Sequence, residues 1–358
     1  MQPRDLSDHI EYRAGRGPEE VARELGLDPA ELITLSSNEN PHGPSPRAVE
    51  AIKASTEEMH TYPKAAHTDL VDTLADRWGV DTTQIWLANG GDGALDYLSR
   101  AMLDPGDRVL VPEPGFAYYG MSARFHHGDV RSYTIAKDDG FALTADTVLT
   151  GYDGERIVYL TSPNNPTGGR FSLDAIEAIA AETADQTLVV VDEAYGEYAE
   201  GPSAVELLAE RDDIAVLRTF SKAYGLAGVR LGYAVTPTEW ADAYARVNTP
   251  FAASQLACRA GKAALEDQAH VRKSVETARW ARQEYRDRLT VPTWPSHGNF
   301  VLAEVGDATR VADAMEERGI IIRDATSFGL PECVRLSCGT REETEAAITA
   351  LNEVIAAL

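Results

Sequence analysis

Cysteine and lysine are both scarce in this chain of 358 residues. The three cysteines, at 258, 333 and 338, are too few and too unevenly spaced for a disulfide framework or a zinc site, and no metal is expected. They fit a reducing, cytoplasmic setting. Only six lysines occur (53, 64, 137, 222, 262 and 273), so chemistry that needs a primary amine has few candidates. No apolar run approaches the roughly 20 residues of a membrane helix. The opening MQPRDLSDHIEYRAG lacks the apolar core of a secretory leader. There is no internal repeat and no low-complexity linker.

Acidic residues are plentiful: 57 against 33 basic ones, a formal charge of −24. That charge repels nucleic acid and anionic membranes alike. Acid and arginine in place of lysine are what a surface bathed in a salt-rich cytoplasm would show, so a halophilic protein is expected. With 44% apolar residues the chain can build a large domain and a smaller one.

From the N-terminus, Gly17-Pro18-Glu19-Glu20 opens a short helix that Gly26 stops. Glu31–Ser37 is extended and runs into the turn-rich Asn38-Glu-Asn-Pro-His-Gly-Pro44. From His67 an amphipathic helix carries Leu70, Leu74 and Trp78 to a stop at Gly79. Apolar runs at 84–88, 108–111, 130–135, 157–160, 188–191, 214–217 and 231–235 read as strands, with helical segments such as 172–184 between them. This pattern predicts an α/β fold: a mostly parallel seven-stranded sheet with helices on both faces. After Thr236 a long helix near 266–289, strands at 299–304, 320–323 and 334–337, and a last helix opened by the capping box Thr340-x-x-Glu343 predict a smaller α+β domain. The expected division is an N-terminal segment, 1–37, packing with the small domain; a large domain, 38–245; and the small domain, 246–358.

Ligands of open parallel sheets bind beyond the carboxyl ends of the strands. Arg218–Tyr233, RTFSKAYGLAGVRLGY, follows one such strand and joins two hydroxyls, Lys222 and Arg230 to glycines that let the backbone approach a ligand. A lysine amine can form a Schiff base with an aldehyde, while hydroxyls and a guanidinium suit a phosphate. Pyridoxal 5'-phosphate (PLP) carries both groups. Asn89-Gly-Gly-Asp-Gly-Ala94 leads into a helix over 94–102, and its amides form a second phosphate seat; it matches neither a dinucleotide fingerprint nor a P-loop. Asp192, at a buried strand end, needs a cation or several donors, and a protonated pyridine nitrogen is such a cation. Asn165, in Ser162-Pro-Asn-Asn-Pro-Thr-Gly168, and Tyr195 can donate to a ring oxygen. Tyr119 follows Pro112-Glu-Pro-Gly-Phe-Ala-Tyr, where an aromatic could stack on a flat ring or simply pack the loop.

In combination, SPNNPTG, VVVDEAY and TFSKAYGLAGVRLGY resemble the class I/II aminotransferases of PLP fold type I over essentially the whole chain. The resemblance implies Lys222 as Schiff-base lysine and proton shuttle, Asp192 on the pyridine nitrogen, and Tyr195 with Asn165 on the ring oxygen. Tyr119 would stack on the ring, and Gly91, Asp92, Gly93, Thr219, Ser221 and Arg230 would hold the phosphate.

The opening IEYRAGRG…EVARELGL, the turn LSSNENPHGP and the C-terminal IRDA…VRLSCGTREE are similar to the histidinol-phosphate aminotransferases. That similarity implies histidinol phosphate as amino donor and 2-oxoglutarate as acceptor, in histidine biosynthesis. Arg323, Arg335 and Tyr12 would lie around the substrate phosphate, with Asn299 facing the substrate. Tyr62 would reach the partner subunit's cofactor in a homodimer. From the residues alone, Arg335 accepts carboxylate as readily as phosphate. An aromatic or broad-range aminotransferase, a threonine-phosphate decarboxylase and a non-catalytic PLP-binding module therefore stand as alternatives. Two departures from the family's usual pattern, Gly93 for Glu and Gly115 for Thr, bear on the pocket wall.

Overall fold

The computed structural model describes residues 6–7, 9–11, 17–64 and 67–358. Two sheets organise them. The larger has seven strands: β2 (Ile85–Ala88), β3 (Arg108–Glu113), β4 (Asp129–Thr134), β5 (Ile157–Thr161), β6 (Leu188–Asp192), β7 (Ile214–Thr219) and β8 (Gly232–Val235). Their spatial order is β2-β8-β7-β6-β5-β3-β4, and only β8 runs antiparallel to its neighbours. Helices on both faces bury the strands. Along β6, Val189 and Val191 join one core cluster while Leu188 and Val190 join the other, each exposed by 2% or less. Filling both faces with aliphatic side chains contributes about 1.5–3 kcal/mol per residue; an acid at Val190 would forfeit that and add an unpaired buried charge.

The smaller sheet has the order β1-β10-β11-β9. Its first strand, β1 (Ile33–Leu35), lies parallel to β10 (Ile320–Asp324); β11 (Cys333–Ser337) and β9 (Phe300–Glu304) continue it antiparallel. An N-terminal strand is thus an edge of a sheet otherwise built from the last fifth of the chain.

The expected helices are present; Ser172 caps the one over 173–182, and the Thr340–Glu343 box forms as the sequence predicts. Three features differ. The helix expected over 94–102 starts earlier, at Gly90, so Gly91, Asp92 and Gly93 occupy its first turn, where amide N–H groups have no intrahelical acceptor. The long helix expected near 266–289 is Gln268–Arg288, but a further helix, Gln255–Glu266, precedes it, the two separated at Asp267, whose side chain accepts from His270 N. Gln255–Glu266 escapes a periodicity reading because it buries mostly small residues, Ala257, Cys258, Ala260, Gly261 and Ala264. Residue 246, where the small domain was expected to begin, lies inside a helix, Ala241–Val247, whose Tyr244 stacks on Trp86 and donates to Leu87 O of the large sheet.

Candidate active site

The carboxyl ends of β2, β5, β6 and β7 open into a cavity of about 660 Å³ that the small sheet closes from the opposite side. Gly91, Asp92, Tyr119, Asn165, Asp192, Tyr195, Thr219, Ser221, Lys222, Arg230, Arg323 and Arg335 all line it. Residues far apart in sequence therefore meet at one place.

One end is an anion cradle. Gly90 takes φ +72°, and a Cβ there would stand 2.6 Å from Arg230 Nη2, so only glycine lets the helix start against the guanidinium. Arg230 is itself left-handed (φ 56°) and donates to Asp92 Oδ2 at 2.9 Å and Ala227 O at 3.1 Å. Thr219 Oγ1 accepts from Ser221 N at 3.1 Å and donates to Ser221 Oγ at 3.0 Å, which leaves the Ser221 proton to another acceptor. Burial raises the Asp92 carboxyl above its ordinary value, against the pull of Arg230.

The centre is the end of β6. Asp192 is 5% exposed; its Oδ1 accepts from Ala194 N at 2.8 Å and its Oδ2 from the Tyr119 hydroxyl at 2.6 Å. Burial outweighs these two donors and pushes the carboxyl up to about 6. Burial and the adjacent carboxylate raise the Tyr119 hydroxyl well above its ordinary value, so it keeps its proton and donates. Lys222 Nζ donates to Ser37 O at 3.1 Å and sits 5.7 Å from the centroid of the Tyr195 ring. Behind this floor, Arg218 is buried against Trp78 and pairs with Glu193 and Glu197, tying the loop after β6 to the end of β7. That clamp fixes Asp192 and Thr219 relative to each other.

The far wall belongs to the small sheet. Arg323 of β10 and Arg335 of β11 stand opposite each other in register. Arg335 donates to Asn165 Oδ1 and to Ser36 O, both at 2.5 Å, and lies over Phe300 and Phe328. Arg323 donates to Ser327 Oγ at 3.0 Å and lies over Phe328. Because Arg335 occupies Asn165 Oδ1, the amide N–H₂ of Asn165 is the end left to donate.

Several expected placements differ. Tyr119 is fully buried, stacked on Tyr159 at 4.8 Å, with its hydroxyl on Asp192; its observed part is to satisfy a buried carboxylate as well as to wall the cavity. Asn299 does not line the cavity: it is 1% exposed and its Nδ2 donates to Asn38 O at 2.9 Å, supporting the wall from behind. Gly93 also stays off the cavity, turned toward Ala88 and Asn89. Tyr62 is 83% exposed and packs on Phe251 at 4.9 Å, away from the cavity of its own chain. Tyr12 lies outside the described residues. Sequence reasoning missed Ser36, Ser37 and Asn38, which contact Arg335, Lys222 and Tyr195 in succession. The dense turn signal after Leu35 marked a bend there but carried no hint of which residues it would touch.

Comparison with known proteins agrees with this geometry. The class I and II aminotransferase profile matches residues 30–351. The chain is 69% identical to the histidinol-phosphate aminotransferase of Haloarcula marismortui over 99% of both chains. It is 67% identical to that of Natronomonas pharaonis, over 99% of this chain and the whole of the relative. Its fold superposes with a TM-score of 0.89 on the histidinol-phosphate aminotransferase of Sinorhizobium meliloti solved with pyridoxal-5'-phosphate, at 28% identity over 99% and 98% of the two chains. The chain belongs to the class I and II aminotransferases, among the histidinol-phosphate aminotransferases.

Proposed function

We propose that this chain transfers the amino group of histidinol phosphate to 2-oxoglutarate, giving imidazole acetol phosphate and glutamate, as a cytoplasmic enzyme of histidine biosynthesis. The observation that carries the reading is the meeting, in one cavity, of Lys222 and Asp192 with the registered pair Arg323 and Arg335. The first two suit PLP and the second two an anionic substrate. In this reading residues 38–245 carry the cofactor, while 1–37 with 246–358 carry the anion-binding wall.

The residues present fit PLP. A carboxylate buried at the end of β6, short of charged partners and raised to about 6, matches a cationic ring nitrogen. The Gly90 approach, Ser221 and Arg230 match a phosphate, and Lys222 is the amine between them. PLP, when bound, supplies an aldehyde for imine exchange and an electron sink for the electrons left when the substrate Cα–H bond breaks. Asp192 would hold the proton on the ring nitrogen. The Tyr195 hydroxyl and the Asn165 amide would donate to the ring oxygen. The Gly91 and Asp92 amides, Thr219, Ser221 and Arg230 would hold the phosphate, with Tyr119 keeping Asp192 in place. With the cofactor in place, Lys222 would supply the amine that takes the substrate Cα proton as general base and delivers it on the far side of the substrate nitrogen. Arg323 and Arg335 would orient the substrate by its anionic end.

A homodimer is part of the proposal. Tyr62 and Phe251 form an exposed aromatic pair off their own chain's cavity, and the reading has Tyr62 reach the partner subunit's cofactor phosphate. Sedimentation together with Tyr62→Ala tests this: a dimer whose variant holds PLP more weakly is expected, and a monomer with full activity would refute it.

The donor is tested by titrating the PLP-loaded chain with histidinol phosphate, histidine, phenylalanine and threonine phosphate while following visible absorption. Conversion to the pyridoxamine form at the lowest concentration with histidinol phosphate is expected. Preference for phenylalanine would make the enzyme an aromatic aminotransferase, and carbon dioxide release from threonine phosphate would make it a decarboxylase.

A further inference from the structure

Three consecutive residues link the walls of the cavity. Ser36 O accepts from Arg335, Ser37 O from Lys222, and the Asn38 side chain contacts Tyr195. The strap follows β1 directly and is thereby anchored to the small sheet. Its third member has the most defined surroundings. Asn38 is 1% exposed and left-handed, with φ 53°, a conformation that asparagine tolerates better than most residues. Its amide N–H donates to Ser337 Oγ at 2.9 Å, and Ser337 Oγ lies 2.9 Å from Asn38 Oδ1. Ser337 Oγ accepts from the Asn38 backbone and donates its own proton to Oδ1, which sets the side-chain amide with Oδ1 toward the serine. Nδ2 is thereby turned to Tyr195, 3.0 Å from its hydroxyl oxygen.

That arrangement decides what the tyrosine can do. Nδ2 has only protons to give, so Tyr195 accepts from Asn38 and must send its own proton elsewhere. The ring of Tyr195 is held edge-on by Phe300 at 5.1 Å, and Tyr195 lines the cavity. We propose that Asn38, oriented by Ser337, is a positioning residue that makes Tyr195 a one-way donor into the cavity. A hydroxyl that accepts one hydrogen bond donates a stronger one. The inference rests on the PLP reading of the site, in which the acceptor is the ring oxygen.

The test is a pH titration of the visible absorption of the PLP-loaded enzyme, with PLP affinity measured alongside. A donor on the ring oxygen stabilises its negative charge and so eases loss of the proton shared with the Lys222 nitrogen. Weakening that donor should raise the midpoint. Asn38→Asp replaces the Nδ2 donor with an acceptor that captures the Tyr195 proton, and is expected to raise the midpoint by about one pH unit. Asn38→Gly keeps the left-handed backbone, deletes the amide, and should give a smaller rise in the same direction. Ser337→Ala, which frees the amide to turn over, should also raise it. In a Tyr195→Phe background Asn38→Gly should cause no further shift. An equal shift in that background, or unmoved midpoints in both Asn38 variants, would overturn the proposal and leave Asn38 as a bridge between the sheets. Absence of any Lys222-dependent chromophore in the wild-type chain would instead refute the PLP reading itself.

Discussion

On the large-sheet side of the cavity, Asp192 is enclosed by Tyr119 and the amide of Ala194, and Thr219 by Ser221, so each group finds its partners within the large sheet and the helices on it. On the small-sheet side, Arg335 reaches Ser36, just past β1, and Asn165 from the other sheet. The first wall is assembled from one sheet and its helices and does not depend on the other sheet. The second exists only when β1 has paired with β10 and the two sheets have approached. Chemistry common to many substrates belongs on the rigid wall, and recognition of one substrate belongs on the wall that several segments share.

The difference can be broken or sharpened experimentally. Lys222→Ala should have the largest effect, lowering kcat/KM about 10³-fold or more for every amino donor, since it removes the general base and the covalent tether together. Steady-state rates across several donors check this, and a loss that differs from donor to donor would mean the walls are not independent. Arg335→Gln should cost about 10–100-fold in kcat/KM for the phosphorylated donor, the worth of charge-assisted hydrogen bonds to one anion. Its visible absorption should match the wild type, because the glutamine amide can still donate to Asn165 Oδ1; a changed cofactor spectrum would show that the recognition wall reaches into the cofactor.

Asp192 offers a smaller, thermodynamic test in the PLP-free chain. Its folded carboxyl titrates at about 6 against an ordinary value of 3.8. In that range the unfolded chain loses the proton first, so the stability associated with protonated Asp192 is full below about pH 4 and is lost as pH rises through about 6. The wild type should therefore lose roughly 2–3 kcal/mol across this window relative to Asp192→Asn, as read from urea midpoints of both. Parallel curves would mean that the carboxylate is not strained by burial. The smallest effect concerns salt. The formal charge of −24 strains the fold and repels an anionic substrate, and screening shortens from about 10 Å at 0.1 M salt to about 3 Å at 1 M. Raising salt should raise the thermal midpoint and lower KM for histidinol phosphate while leaving the buried cofactor spectrum alone. Full stability in dilute buffer would remove the salt requirement and leave the chemistry untouched.

The same contrast governs what was legible in the sequence. The strands of the large sheet announce themselves as short aliphatic runs, and the residues just after them, Asp192, Thr219, Ser221 and Lys222, are the ones the fold delivers to the cavity. Arg323 and Arg335 were visible as arginines on neighbouring strands. Their partners were not, because the Ser36 carbonyl and the Asn165 oxygen are tertiary neighbours with no local pattern. Tyr119 shows the same limit: its place in the cavity wall could be read, but its bond to Asp192 depends on how β3 and β6 flank β5 in the sheet. Asn38 stood inside an obvious turn, yet only its left-handed backbone and the distant Ser337 explain which way its amide faces.

The pairing of Ile33 with Ile320 also orders events during synthesis. A chain emerging from the ribosome can complete the seven-stranded sheet once Val235 is free, but its opening strand must wait, unpaired, until the segment around residue 320 appears. Contacts this far apart in sequence form late. A chain that extends past residue 288 but stops short of 320 can therefore carry Lys222 and Asp192 with the helices that pack around them, yet leave the strap from Ser36 to Asn38 without its β1–β10 anchor, so that a reactive amine is exposed before any wall chooses what may approach it. For such a protein, finishing translation is itself the step that confers selectivity.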